Sequence, residues 1–192
     1  MIFSSLQFLF FFSFFILFIK LLKSHQKSII IIFSLIFYTF WNPIFIILIL
    51  YLSIITFICS KQKYPIWVSL FLIFLPLLYF KYSFFLFNII NNKELISFSY
   101  TSDLPLAISF ITFTAVAYIV DLKKKTFVDE VSFFDFLEFI IYFPQLIAGP
   151  ILRANELIPA LKNKIIFSNK QVNFGIILFA IGFIKKVYFA DN

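Results

Sequence analysis

The sequence predicts an all-α fold: a polytopic transmembrane protein that forms a single transmembrane region over residues 1–192. Of its 192 residues, 62% are hydrophobic and 13% are charged, against roughly 45–50% and 25% in soluble domains. The mean hydropathy is +1.04. The apolar residues come in long runs separated by short polar segments that carry lysine. Helices that cross a bilayer have this pattern.

The apolar runs predict the helices in order. The first run has 17 residues and would extend about 26 Å as a helix, near the lower limit for a span. It has no basic start and no small-residue cleavage site, so we expect it to be retained as a helix. In the last run, Gly175 and Gly182 are seven residues apart and predict close helix packing. The predicted helical regions are Leu6–Leu22, Ser28–Ser60 interrupted at Trp41-Asn42-Pro43, Pro65–Phe80 continued by Phe84–Ile90, Leu104–Val120 and Val172–Phe189.

The segment from residue 132 to 155, SFFDFLEFIIYFPQLIAGPILRAN, differs from the other apolar runs because polar residues recur in it at fixed offsets. Ser132 and Asp135 have the spacing of a capping box, which predicts a helix that starts at about Ser132. Asp135, Glu138, Tyr142 and Gln145 then follow at i, i+3, i+7 and i+10. They form one polar stripe on an apolar helix, and we expect this stripe to face water.

Two prolines predict that this helix breaks. Pro144 has no N–H to donate, and Pro150 disfavours the helical conformation at Gly149. Unpaired backbone groups in hydrocarbon each cost several kcal/mol, so such a break is tolerated only beside protein or a water-filled cavity. The sequence therefore predicts a re-entrant or broken helix that lines a cavity.

The basic residues indicate how the chain is oriented. The net charge of +7 comes from lysines that stand singly or in threes between apolar runs, which favours membrane orientation over nucleic-acid binding. With an outside N-terminus and a re-entrant segment 132–153, twelve of the 16 basic residues are predicted to be cytoplasmic. These are Lys20, Lys23, Lys27, Lys61, Lys63, Lys123, Lys124, Lys125, Arg153, Lys162, Lys164 and Lys170. A full crossing of the 132–153 segment would place the last four outside, against the positive-inside rule.

Few side chains suggest chemistry. Arg153 is the single arginine, and its planar fork suits a carboxylate, phosphate or carbonyl group, although a cation at an interfacial helix end is an equal alternative. Asp135 and Glu138 form a weak acid–base candidate for which a structural role is favoured. His25 is predicted to be a solvated loop residue. Cys59 has no cysteine partner for a disulfide and no metal-ligand neighbours.

Several of these segments together resemble the membrane-bound O-acyltransferase family, in its bacterial branch of alginate O-acetylation and D-alanyl transfer proteins. The resemblance rests on YFPQLIAGPILRANELIPAL, and on MIFSSLQFLF, FYTFWNP, LPLAISFITFTAVAYIVDLKKK and FIKKVYFADN in the family's order. The family motif residues are Pro144, Gln145, Gly149, Pro150 and Arg153. The family more often has glycine where Ala107 stands and an aromatic residue where Ala154 stands.

This resemblance implies the N-terminal part of such a fold and an activity for the complete enzyme. The enzyme would transfer an acyl group, expected to be acetyl, from a cytoplasmic donor to an extracytoplasmic polysaccharide. The donor would be acetyl-CoA or an acyl carrier, with no cofactor bound. The family's essential histidine, thought to act as general base on the acceptor hydroxyl, lies in its later half, and no residue here matches it. We therefore expect the isolated chain to be inactive, with no catalytic residue of its own.

The resemblance also implies partners and a location. The partners would be the lipid bilayer, the missing C-terminal half or a second polypeptide, the polysaccharide acceptor and an acetyl-handling envelope protein, with no nucleic acid. The location would be the bacterial cytoplasmic membrane. Two other functions stay open on the sequence. The broken helix alone would suit a transporter or channel component, and the chain would also suit a non-catalytic membrane subunit.

Overall fold

The computed structural model describes residues 5–62, 64–90, 105–125, 130–146, 152–163, 165–166 and 168–190, and these residues form helices joined by turns. This confirms the predicted all-α class for the described part of the chain. The helices are α1 Leu6–Leu21, α2 Gln26–Thr39, α3 Phe45–Lys61, α4 Ile66–Ile90, α5 Ile108–Lys123, α6 Phe133–Ile141, α7 Phe143–Leu146, α8 Ala154–Lys162 and α9 Asn169–Ile184, and α9 continues as a π-helical turn, Lys185–Ala190.

By its contacts the chain divides into two compact units. The first comprises Met1–Ile30 and Asn163–Asn192. In it, the Ser5 hydroxyl caps α1 by accepting a hydrogen bond from the Phe8 N–H at 3.2 Å. The Phe12 ring of α1 stacks on the Phe179 ring of α9, with 6.4 Å between centroids.

A glutamine holds the loop before α9 within this first unit. The buried Gln26 side chain donates to the Ile165 carbonyl at 3.1 Å and accepts from the Ile165 N–H at 2.9 Å. The two bonds join residues 139 positions apart in the sequence. Both backbone groups of Ile165 are therefore satisfied by one side chain, which fixes the loop against the start of α2.

The second unit, Ile31–Lys162, contains the main hydrophobic core. Helices α3, α4 and α5 pack on one another, and α6 packs on α3 and α5. Leu52, Ile73 and Ala115 are among the fully covered side chains at the centre. Every one of these helices has apolar residues over most of its circumference, as expected of helices that are covered on several sides.

The predicted interruption between α2 and α3 is confirmed. Helix α2 ends at Thr39 and α3 begins at Phe45. Pro43 has no N–H to continue a helix, and the Asn42 side-chain oxygen accepts the Ile44 N–H at 3.0 Å, which closes the turn. Trp41 is half exposed at this turn.

Helix α4 continues through a proline. The sequence predicted a helix to Phe80 and a separate short continuation, but the structure has one helix from Ile66 to Ile90 with Pro76 inside it. Pro76 removes the N–H that would bond to the Leu72 carbonyl. The Tyr51 hydroxyl of α3 donates to that carbonyl at 3.4 Å. A side chain from the neighbouring helix thus replaces the missing helical bond.

Helix α5 starts later than the sequence predicted and ends later. Leu104 lies outside the described residues, and Ala107 has φ 56° and ψ 21°, a left-handed conformation that cannot belong to a right-handed helix. The helix therefore starts at Ile108. The Tyr38 hydroxyl donates to the neighbouring Leu106 carbonyl at 2.9 Å. At the other end the helix passes Asp121 and stops at Lys123.

In the described part of the chain, one helical stretch, Asn169–Tyr188, has the length and hydropathy of a membrane span. Four further apolar stretches, Leu6–Leu21, Gln26–Thr39, Phe45–Lys61 and Ile66–Tyr82, are shorter. The polytopic arrangement and the single transmembrane region stay predictions.

The predicted close packing at Gly175 and Gly182 is wrong for the described residues. A methyl group added at either glycine would meet no atom within 4 Å. No described side chain of α9 is buried. The glycines therefore face open space and do not lie against another helix.

Candidate functional site

A capping box starts α6, as the sequence predicted. The Ser132 hydroxyl accepts from the Asp135 N–H at 3.2 Å, and the Asp135 carboxylate accepts from the Ser132 N–H at 3.1 Å. These two bonds satisfy backbone donors that a helix start leaves free. Asp135 is therefore part of the helix cap.

The helix breaks where the prolines predicted. Helix α6 ends at Ile141, and Tyr142 leaves the helical conformation with ψ 103°. A single turn, α7, follows from Phe143 to Leu146 and contains Pro144. The Phe143 N–H donates to the Ser34 hydroxyl of α2 at 3.3 Å. Because Ser34 is fully buried, a backbone donor freed by the break is satisfied inside the protein.

The polar stripe of α6 and α7 is buried, so the prediction that it faces water is wrong. The exposed fraction is 1% for Glu138 and 5% for Gln145, and Tyr142 is half-buried. Helix α6, which carries Glu138, packs on α3, α5 and α8. Phe134, one turn before Glu138 in α6, is 61% exposed. The chain therefore places its carboxylate and amide inward and an aromatic ring outward.

The segment that contains the break, from Glu130 to Lys162, begins and ends at the same end of the second unit. The Phe57 ring, near the end of α3, contacts the Phe133 ring at the start of α6, with 5.4 Å between centroids. Helix α8 packs back on α6. Its last residue, Lys162, donates from Nζ to the Glu130 carbonyl at 3.1 Å. Glu130 and Lys162 bracket the segment, so its two ends lie together.

Basic residues from α3, α5 and α8 lie near that end. The Lys123 Nζ at the end of α5 donates to the Tyr64 carbonyl, 3.0 Å away, in the turn between α3 and α4. Lys61 ends α3, four residues after Phe57. These lysines were predicted to share one side of the membrane, and the structure brings them to one end of the unit. Lys63 and Lys164, predicted for the same side, lie outside the described residues.

The motif residues differ in their surroundings. Gln145 is buried and Pro144 is half-buried, whereas Arg153 is exposed. The Arg153 carbonyl accepts the Glu156 and Leu157 N–H groups, both at 3.1 Å, so this residue opens α8. Gly149 and Pro150 lie outside the described residues. The roles assigned to all five motif residues stay predictions.

Two features of the site were missed by sequence reasoning. The first is the burial of Glu138, which the sequence named only as a weak acid–base candidate together with Asp135. A carboxyl group in an otherwise apolar interior marks a functional site by default when the protein is a membrane protein. The second is Ser34, which lies 109 residues from Phe143 and gives no signal in a local pattern. Helix α8 was also not predicted, since Pro159 interrupts its pattern.

The arrangement offers three kinds of polar group on buried or half-buried side chains. Glu138 can take or give a proton, the Tyr142 phenol can donate a hydrogen bond, and the Gln145 amide can both donate and accept. No group of three or more histidine, cysteine, aspartate or glutamate side chains suited to a metal occurs among the described residues. The chemistry that these groups support is proton movement and the binding of a carbonyl or hydroxyl group.

The chain is similar in sequence to proteins named as a peptidoglycan O-acetyltransferase and as alginate O-acetylases. The chain is 32% identical to a peptidoglycan O-acetyltransferase of Helicobacter pylori over 208 aligned residues, which cover 86% of this chain and 38% of that protein. It is 36% identical to the "Probable alginate O-acetylase AlgI" of Pseudomonas aeruginosa over 119 residues, or 59% of this chain and 23% of that one. The protein of the same name from Pseudomonas putida is 38% identical over 46% of this chain.

The chain is homologous to O-acetyltransferases of the membrane-bound O-acyltransferase family and matches part of their length. It spans 38% of the length of the Helicobacter pylori relative and less of the others named above. No family model matches the sequence. No solved structure matches it either.

Proposed function

We propose that this chain is part of an O-acetyltransferase that passes acetyl groups from a cytoplasmic donor to an extracytoplasmic polysaccharide. The observation that carries the proposal is the 32% identity with a peptidoglycan O-acetyltransferase over 86% of this chain. The buried polar break in α6–α7 supports it, because acetyl transfer through a membrane needs polar groups inside the protein. The donor would be acetyl-CoA or an acyl carrier.

The proposed enzyme is a multi-pass protein of the bacterial cytoplasmic membrane, in which α6 to α8 re-enter without crossing. The nine residues of α6 extend about 14 Å, close to half of a hydrocarbon core of about 30 Å. If the lysine-rich end lies at the cytoplasmic surface, the break reaches the middle of the bilayer. The adjacent ends at Glu130 and Lys162 support a return to that same surface.

In the proposed reaction, the polar stripe serves as part of the path of the acetyl group. Tyr142 and Gln145 are neutral hydrogen-bond donors suited to a carbonyl oxygen that gains negative charge during transfer. Glu138 lies on the same stripe and can relay a proton. The general base that activates the acceptor hydroxyl is proposed to come from another part of the enzyme, since no residue here matches the family's histidine.

The activity test uses membranes that contain this chain together with the portion of the Helicobacter pylori relative that lies outside the match. Radiolabelled acetyl-CoA is supplied on the cytoplasmic side, and ester-linked label is measured in peptidoglycan and in alginate. We expect label with the pair and none with either part alone. Removing one donor, by Gln145→Leu or Tyr142→Phe, should lower the rate by about 10²-fold.

The matched control is Phe134→Leu, which changes an exposed residue of α6, the helix that precedes Tyr142 and Gln145. If it lowers transfer as much as Gln145→Leu, the polar stripe has no specific part in the reaction. Transfer by this chain alone would show that it carries its own base. Stable assembly of the pair without any transfer would instead favour a non-catalytic membrane subunit.

Labelling of introduced cysteines tests the proposed topology. Lys124→Cys and Lys162→Cys are made in a Cys59→Ser background, and a membrane-impermeant thiol reagent is applied to sealed vesicles of each orientation. Both positions should label from the cytoplasmic side, as the lysine distribution predicts. Labelling from opposite sides would contradict re-entrance.

A further inference from the structure

A cleft of about 310 Å³ opens between the ends of α3 and α5 in the second unit. Its apolar lining comes from Cys59, Ile119 and Leu122, and its charged lining comes from Lys61 and Lys123. The cleft is separate from the polar stripe of α6 and α7. Its volume is at the lower limit of small-ligand sites, which suits a head group or a small anion.

The two ammonium groups are held in place by different contacts. Lys123 Nζ donates to the Tyr64 carbonyl at 3.0 Å, and Lys61 Nζ lies 5.6 Å from the centroid of the Phe57 ring. Each ammonium has three donors, so one hydrogen bond leaves donors for a ligand. The lining of the cleft includes no carboxylate. A ligand that enters it would meet positive charge and the Gln62 amide.

A structural role for these lysines is the simplest alternative. Both lie in the last turn of a helix, where a cation compensates the partial charge of about −0.5 at the helix C-terminus. Two helix ends together carry about −1, and two lysines carry +2. Compensation therefore leaves the cleft with positive charge in excess.

We propose that this cleft binds a phosphate-bearing anion, with Lys61 and Lys123 as the charged contacts. Lysine binds phosphate as a point charge, and the apolar floor suits a group that adjoins the phosphate. Two sources have this chemistry: the head group of an anionic phospholipid, and a soluble phosphate compound. The proposal does not depend on the acetyl-transfer function, because it concerns different residues and is tested by binding alone.

The experiment measures binding to the full chain in lipid nanodiscs. Inorganic pyrophosphate is titrated into discs of phosphatidylcholine for the soluble source, and phosphatidylglycerol is incorporated into the discs for the lipid source. Lipid retention is read by native mass spectrometry and pyrophosphate binding by calorimetry. Lys61→Gln and Lys123→Gln should each weaken the affinity for whichever probe binds by about tenfold or more, as expected on loss of a hydrogen bond to a charged group.

Two further variants keep the test decisive. Lys81→Gln removes an exposed lysine of α4 that is not part of the cleft, and it should leave affinity unchanged. Leu122→Trp fills the cleft without changing its charge, and it should abolish binding. Saturable pyrophosphate binding identifies the soluble source, and binding confined to phosphatidylglycerol identifies the lipid source.

The proposal is overturned by any of three results. The first is that neither probe binds saturably. The second is that Lys81→Gln weakens binding as much as the two cleft variants do. The third is that Leu122→Trp binds the probe as well as the unmodified chain does. If the lysines only compensate helix ends, Lys61→Gln and Lys123→Gln will lower the melting temperature equally with and without either probe.

Discussion

Replacing Ser34 by alanine is the most direct test of how the break between α6 and α7 is stabilised. Ser34 is fully buried, and its hydroxyl oxygen accepts the Phe143 N–H at 3.3 Å. Alanine removes this acceptor and leaves the rest of the packing nearly unchanged. Phe143 is itself fully buried, so water cannot replace the lost partner without opening the structure.

The expected cost follows from this geometry. An unsatisfied buried donor costs about 1–3 kcal/mol. The 3.3 Å separation between the Phe143 nitrogen and the Ser34 oxygen is long for an N–H···O hydrogen bond. We therefore expect a loss of about 1–2 kcal/mol in the free energy of unfolding. The assay is reversible unfolding in mixed micelles, followed by far-ultraviolet circular dichroism, with the variant and the unmodified chain measured in the same detergent.

Ser53→Ala is the matched control. Ser53 is equally buried, but its hydroxyl donates to the Ile49 carbonyl of its own helix at 2.8 Å. The Ile49 carbonyl still accepts its backbone hydrogen bond within the helix, so loss of the Ser53 hydroxyl should change the free energy of unfolding by no more than about 0.5 kcal/mol. Equal effects of Ser34→Ala and Ser53→Ala would refute the reasoning, because the cost would then arise from removing any buried hydroxyl. Amide hydrogen exchange of a peptide that contains Phe143 should also become faster only in Ser34→Ala.

Three further predictions concern the backbone at Ala107, the proline in α4 and the loop before α9. Ala107→Gly should raise stability by about 0.5–1 kcal/mol in thermal unfolding, because the left-handed conformation at this position strains alanine and not glycine; no gain would mean that the conformation relaxes without cost. Tyr51→Phe should cost about 1 kcal/mol and become nearly neutral when combined with Pro76→Ala, which restores the missing backbone N–H. A double-mutant cycle that shows full additivity would rule this out. Gln26→Leu should cost about 2 kcal/mol by loss of two hydrogen bonds and Gln26→Glu about half of that, since the carboxylate keeps only the acceptor; limited proteolysis at the Ile165 loop should rise in the same order.

Local features of the structure could be predicted from the sequence. The capping box at Ser132 and Asp135 depends on residues three positions apart, and the break at Pro144 depends on one missing N–H. The interruption at Pro43 has the same origin. In each case the cause and the effect lie within a few residues of each other, so these features can be predicted from the sequence alone.

Other features could not be predicted because they depend on distant contacts. The pairing of Gln26 with Ile165 joins residues 139 positions apart, and no periodicity specifies it. The polar stripe was wrongly expected to face water, since a pattern shows that Glu138 and Gln145 share a face but not what covers that face. Tertiary packing decides this: α6 packs on α3, α5 and α8, and α7 is bonded to α2 through Ser34.

Three irregular points of the second unit are stabilised in the same way. A hydroxyl from α2 or α3 bonds to a backbone group that a regular helix would have satisfied: Tyr51 at the carbonyl facing Pro76, Tyr38 at Leu106 before α5, and Ser34 at Phe143. In a chain with 33 phenylalanines, Tyr→Phe is the mildest change in composition and packing. At Tyr38 and Tyr51 it removes the hydroxyl that bonds to the neighbouring backbone. At the exposed Tyr79 the same change should have little effect on stability. The hydroxyls of α2 and α3 therefore satisfy backbone groups beside Pro76 within α4, before α5 and at the α6–α7 break. The last of these bonds fixes the segment that carries the polar stripe on which the proposed transfer depends.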